Sequence, residues 1–198
     1  MAAVKITIAY AVFFLLGGIP FGPLIARLKK VDLSKVGSGN IGATNVYRAL
    51  GMRYALLVFL LDGLKGAIPS LLGLVLFGPG YLAGISGLAA VLGHIFSPFL
   101  KFRGGKGVAT GFGAMMVLAP LPSLISLSLW AAVLAITKIV SLSSLTAAIA
   151  LPALVLLFSK TGWVFYTSLM MVALVFLSHY ENILRLMRGT EKPVKKID

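Results

Sequence analysis

Three short polar stretches carry the residues that could do chemistry. The first, GSGNIGATNVYR from Gly37 to Arg48, contains no acid. Its glycines, Gly37, Gly39 and Gly42, allow a ligand to come close to the backbone and expose N–H groups, the usual way to cradle phosphate oxygens. Ser38, Asn40, Thr44 and Asn45 add neutral donors, and Arg48 adds a charged, bidentate one. Alone, such a stretch reads equally well as an ordinary flexible loop. The second, KFRGGKG from Lys101 to Gly107, joins Gly104, Gly105 and Gly107 to Lys101, Arg103 and Lys106. It is not a nucleotide-binding P-loop, because Gly107 follows Lys106 where that motif has Ser or Thr, and no buried strand precedes it. An anion site remains. The third, SHYENILRLMRGTE from Ser178 to Glu191, places His179, Asn182 and Arg185 three residues apart, so on a helix they form one polar stripe. His94 reads first as an interfacial hydrogen-bonding residue, whereas for His179 the stripe gives a catalytic role equal weight.

The residues also exclude chemistry. Metal-dependent phosphotransfer needs clustered carboxylates. The chain has 5 acids (Asp32, Asp62, Glu181, Glu191 and Asp198), and no two stand in a D-x-x-D arrangement. Neither a metal nor any other cofactor is expected. No acid is placed to orient a histidine in a serine triad. The soluble-type glycerolipid acyltransferases have Asp five positions after a His; here Phe99 follows His94 and Leu184 follows His179 at that distance. The chain has no cysteine, which removes thiolate metal sites and a cysteine nucleophile.

The elements that must hold these stretches are apolar. The chain has 198 residues, 59% hydrophobic and 12% charged, with a mean hydropathy of +1.02. That lies outside the range of a domain facing water and predicts an integral membrane protein of one domain, residues 1–198. A span needs roughly 20 apolar residues. Val4–Leu28, Tyr54–Phe77, Tyr81–Leu100, Val140–Phe158 and Trp163–Leu184 qualify. The uncharged run from Gly107 to Thr137, broken by Pro120 and Pro122, reads either as one kinked span or as a hairpin.

Charge decides between them, because basic residues gather on the cytoplasmic side. With a hairpin, all but Lys5, Lys65 and Lys160 of the 18 basic residues fall on one side. The expectation is therefore an all-α polytopic bundle of about seven segments, the fourth, Gly107–Ala119, short or re-entrant. The N-terminus is then outside and the C-terminus cytoplasmic, with all three polar stretches at the cytoplasmic face. The net charge of +13 reads as orientation and contact with anionic lipid headgroups. Nucleic acid is a poor explanation, since the charges are spread over short loops. Asp62 and Lys65, one helical turn apart inside a span, are expected to neutralise each other as a structural or site-supporting pair; an unpaired charge there would cost at least ~2.5 kcal/mol.

GSGNIGATNVYR, GHIFSPFLKFRGGKG and SHYENILRLMRG, in this order and together with LLDGLKG, resemble the bacterial acyl-phosphate:glycerol-3-phosphate acyltransferase family over nearly the whole chain. The resemblance implies transfer of a fatty acyl group from acyl phosphate to the 1-hydroxyl of glycerol 3-phosphate, at the bacterial inner membrane, and a functional link to the enzyme that makes acyl phosphate. It implies that Ser38, Asn40, Thr44, Asn45 and Arg48 bind phosphate and position the donor, with Gly37, Gly39 and Gly42 allowing close approach. Gly104, Gly105 and Lys106 would form a second phosphate clamp, with His94 and Arg103 counted among the substrate-binding residues. His179 and Asn182 would hold the glycerol hydroxyl or the reacting carbonyl. Ser38, Arg48, Lys106, His179 and Asn182 form the expected catalytic set. The proton acceptor is either His179 or, as the acid-poor site favours, a substrate phosphate oxygen. A transporter of a small phosphorylated anion is the rival reading, but the anion-binding stretches sit on one side only and no half of the chain repeats the other. A purely structural scaffold would leave the three polar stretches unexplained.

Overall fold

The computed structural model describes residues 1–159 and 161–195. Lys160, expected outside, together with Lys196 and Asp198 of the basic tail, lies outside the described residues. The helices run α1 Ala2–Gly18, α2 Phe21–Leu28, α3 Ala43–Leu50, α4 Met52–Phe77, α5 Tyr81–Ile95, α6 Val108–Leu118, α7 Pro120–Thr137, α8 Val140–Phe158, α9 Gly162–Ser178 and α10 Tyr180–Met187. Among the described residues there is no strand. The protein is an all-α integral membrane bundle. Five segments are long and apolar enough to cross a bilayer: Ala2–Leu28, Met52–Phe77, Tyr81–Leu100, Pro120–Thr137 and Val140–Phe158. A sixth is α9 with α10, if that pair, bent by 66°, counts as one span. The remaining apolar helix, α6, has 11 residues and at 1.5 Å per residue is too short to cross alone.

The breaks follow from local chemistry. Pro20 and Pro23 lack N–H groups, so the hydrogen-bond ladder is interrupted between α1 and α2. Gly51 takes a φ of 87° between α3 and α4 and donates its N–H to the Tyr47 carbonyl. Pro120 occupies the first turn of α7, where a missing N–H costs nothing. The run from Gly107 to Thr137, expected as a hairpin, is divided into two helices, α6 and α7, at Ala119 just ahead of Pro120.

Small residues bring the helices together, as packing inside a membrane favours. Side chains at Gly66 and Gly113 would strike the backbone carbonyls of Thr110 and Gly63, which fixes α4 against α6. The main core joins α5, α6, α8 and α9 through Leu88, Val91, Met115, Val155, Val164 and Met171. A second cluster, Ala26, Leu33, Val46 and Val58, holds α2 and α3 on α4. Together these contacts bring the loop before α3, the loop between α5 and α6, and α10 to one end of the bundle.

Candidate active site

In the first stretch, Gly37 and Gly39 take φ values of 56° and 70°, which only glycine adopts without strain. The turn they make is locked by Asn45, which is 1% exposed. Asn45 Oδ1 accepts from the Ser38 N–H at 3.1 Å, and Nδ2 donates to the Leu33 carbonyl at 3.0 Å. Asn40 Oδ1 accepts from the Gly42 N–H at 2.9 Å. Both amides, expected to meet a ligand, thus hold the loop's own shape. A side chain at Gly37 would meet Asn45 Oδ1 and Arg48 Cδ, so the Arg48 stem runs alongside. Ser38 is exposed, while Thr44 and Arg48 are half-buried. The first N–H groups of α3, at Ala43 and Thr44, make no backbone hydrogen bond among the described residues.

The second stretch departs from a simple phosphate cradle. The Gly104 N–H donates to the Ile95 carbonyl at 2.9 Å and the Gly105 N–H to the His94 carbonyl at 3.0 Å. These donors, expected to face a ligand, instead satisfy the last carbonyls of α5. The glycines are needed because a side chain at residue 104 would strike the His94 carbonyl, and one at residue 105 the His94 ring at Nε2. His94 lies beneath the loop, 4% exposed, and Arg103 is exposed. Gly107, with a φ of 75°, turns the chain into α6. The N–H groups of Val108, Ala109 and Thr110 begin that helix without backbone partners among the described residues, with Lys106 just ahead of them. A helix N-terminus next to a lysine favours a phosphate.

The third stretch bends by 66° at His179. His179 Nδ1 lies 2.8 Å from the Val175 carbonyl, which can only accept, so Nδ1 carries the proton and Nε2 is left as an acceptor. Asn182, 5% exposed, is held from both sides. Lys106 Nζ donates to its Oδ1 at 2.5 Å, and its Nδ2 donates to Glu191 Oε1 at 2.6 Å. Glu191 also accepts from Arg185 Nε at 2.6 Å and from the Ser141 hydroxyl at 2.7 Å. The Ser178 hydroxyl stands 2.9 Å from the Lys106 carbonyl. Beyond Glu191, the Val194 N–H donates to the Lys138 carbonyl, so the tail lies across the start of α8.

The structure therefore brings Lys106, His179 and Asn182 together, with Arg48 near enough for its charge to act on Lys106. Burial holds the Lys106 amine down to about 8; Glu191 opposes this, while Arg185 and Arg48 add to it. Burial alone would raise the Glu191 carboxyl, but hydrogen bonds from Ser141, Arg185 and Asn182 outweigh it and keep the group below its ordinary value. Reading the residues missed Glu191, Ser141 and Ser178. The one sign of Glu191 was an acid just after the polar stripe, among the basic residues Arg188, Lys192 and Lys195. Asp62 and Lys65 form the expected pair at 2.8 Å, both side chains 4% exposed.

Lys106, the start of α6 and an acceptor ring nitrogen, with the Arg48 charge acting on Lys106, have the chemistry to hold an anion and orient a hydroxyl. The chain matches the family described as glycerol-3-phosphate acyltransferase over residues 7–189. A protein of that name from Aquifex aeolicus (strain VF5) is 45% identical over 179 residues, 90% of this chain and 93% of the relative. One from Geotalea daltonii is 46% identical over 183 residues, 92% of this chain and 94% of the relative. The crystal structure of PlsY, an integral membrane glycerol 3-phosphate acyltransferase, in its glycerol 3-phosphate form superposes with a TM-score of 0.92 at 42% identity, covering 96% of each chain. The lysophosphatidic acid form of PlsY gives 0.90 at 41% identity, covering 96% of this chain and 95% of the other.

Proposed function

The chain belongs to the glycerol-3-phosphate acyltransferase family, and on that premise we propose that it moves a fatty acyl group from acyl phosphate to the 1-hydroxyl of glycerol 3-phosphate, forming lysophosphatidic acid and inorganic phosphate. The observation that carries this reading is the meeting of Lys106, from the loop before α6, with Asn182, beside His179 on the last bend. Anion-binding and hydroxyl-orienting groups would then stand side by side.

Acyl phosphate is a mixed anhydride whose leaving group is phosphate. Neither a protein nucleophile nor a metal is needed if the two substrates are held in register, an effect worth up to about 7–11 kcal/mol of barrier. The glycerol oxygen attacks the acyl carbon, the bond from that carbon to the phosphate oxygen breaks, and the phosphate departs with the electron pair. His179 Nε2 accepts a hydrogen bond from the attacking hydroxyl and so orients it. That hydrogen is shared with a phosphate oxygen, and as the new carbon–oxygen bond forms it is the phosphate oxygen that takes the proton. Lys106 and the first N–H groups of α6 balance the charge growing on the leaving group. Arg48, Ser38, Thr44 and the start of α3 take the other phosphate, and Arg103 draws anions towards the pocket. Asn40, Asn45, Gly37, Gly39 and Gly42 shape the first loop, as Gly104 and Gly105 shape the second. A groove of about 170 Å³ between α4 and α6, lined by Phe59, Leu64, Ala67, Phe112 and Met116, begins one to two turns below the α6 N-terminus and suits the apolar chain.

The basic end of the bundle faces the cytoplasm in this reading and the N-terminus faces out, because Lys and Arg beside spans favour the inside. The membrane is the bacterial inner membrane, and an enzyme making acyl phosphate supplies the donor. Purified protein given acyl phosphate and glycerol 3-phosphate should release phosphate together with lysophosphatidate. Transfer from acyl coenzyme A or acyl carrier protein, with none from acyl phosphate, would overturn the donor assignment.

A further inference from the structure

We propose that His94, backed by the Asp62–Lys65 pair, is a positioning residue that sets the height of the Gly104–Gly107 loop and thereby of Lys106. The inference rests on the reading of Lys106 given above, but its test does not depend on which donor the enzyme uses.

The imidazole of His94 is clamped between two neighbours. On one side, Nε2 stands against Gly105 so closely that no side chain fits there, and the main-chain carbonyl of His94 accepts the Gly105 N–H at 3.0 Å. On the other, Nδ1 faces Asp62 Oδ1 at 3.8 Å and has no hydrogen-bond partner among the described residues. A buried ring nitrogen without a partner is costly, and an approach of under an ångström would turn this contact into a charge-assisted hydrogen bond. Asp62 cannot retreat, because Lys65 Nζ holds it at 2.8 Å and is itself fixed to the Ile19 carbonyl at 2.7 Å, at the break between α1 and α2. The same break accepts the Ser97 hydroxyl at 2.6 Å, through the Gly18 carbonyl, just after α5. A rigid chain of contacts therefore runs from the α1–α2 break through Lys65, Asp62 and the His94 ring to the residue next to Lys106. This gives the charges inside a span a use that needs no contact with substrate: they brace the loop that carries Lys106.

The test compares the parent with His94→Leu, His94→Asn and the double variant Asp62→Asn/Lys65→Met, which removes both charges so that none is left alone in the span. Amide hydrogen exchange, read without substrate, and steady-state kinetics are measured on the whole protein. Asn places a donor near the position of Nδ1, whereas Leu places none. His94→Leu is expected to speed exchange of residues 103–107 at least tenfold and to lower kcat at least tenfold. KM for either substrate should stay within threefold. His94→Asn should recover most of both losses, and the double variant should loosen the same segment at least threefold. If His94→Leu does not fold, the double variant alone decides. Exchange within twofold of the parent, faster exchange spread evenly over all helices, or equal damage from Asn and Leu would each overturn the proposal. Because exchange needs no substrate, failure with acyl phosphate and failure of this inference are separate results.

Discussion

Lys106 Nζ lies 2.5 Å from Asn182 Oδ1, joining residues 76 positions apart in the chain. The contact makes the lysine's charge part of the same unit as the His179 bend. Lys106 serves as a cation, and its amine is held down to about 8, first by burial. The charged form therefore predominates below about pH 8 and is lost above it. In the pH profile of kcat/KM, the rate should fall as pH rises through about 8, and Lys106→Arg, which stays charged, should move that fall upward or abolish it. A parent profile flat to pH 10 would show that the cation is not required.

His179 offers Nε2 as an acceptor because Nδ1 donates to Val175. If the ring only orients the hydroxyl, a glutamine carbonyl can do the same without basicity. His179→Gln is expected to stay within about tenfold of the parent rate, while His179→Ala, which leaves the hydroxyl unoriented, should fall about a hundredfold, the loss that misplacing a reacting group can cause. Equal loss in the two variants would make His179 the base.

Glu191 fixes Asn182 so that its oxygen faces Lys106. Glu191→Gln keeps the size but weakens charged hydrogen bonds to Asn182, Arg185 and Ser141. Removing one such bond typically costs about 1.5–3 kcal/mol. The expected result is a lower unfolding temperature together with a kcat reduced several-fold. A thermal melt and a rate assay matching the parent would leave the tail without a role in the site.

The buried Asp62 and half-buried Glu191 carboxylates are already engaged, Asp62 by Lys65 and Glu191 by three donors, and Glu181 stands alone on the surface 3.7 Å from Arg185, so no cluster among the described residues is free to hold a metal. Divalent cations should therefore have no place in the reaction. Initial rates measured with excess chelator and with added Mg²⁺ should agree within error, and dependence on the metal would contradict the mechanism.

How much could be read in advance follows from what each residue depends on. Span positions, the break ahead of Pro120 and the gathering of the polar stretches at one end follow from hydropathy, proline chemistry and charge, which act locally. The internal roles of Asn40 and Asn45 were hidden, because an amide beside glycines looks the same whether it faces a ligand or its own backbone. Gly104 and Gly105 were assigned to a phosphate clamp, but they are glycines because His94 lies beneath them. The role of Glu191 does not show in the sequence, because its partners come from α8 and α10, which the fold and the 66° bend at His179 bring within reach.

The prolines between α1 and α2 have an effect beyond bending. In an unbroken helix the Ile19 carbonyl would be claimed by the N–H of residue 23, but that residue is Pro23 and has none. The missing donor leaves the oxygen available to the Lys65 ammonium. An imino acid near one membrane edge thus makes an intramembrane lysine tolerable 42 residues later. Pro23→Ala would offer that oxygen a competing N–H and weaken its hold on the ammonium, leaving Lys65 to Asp62.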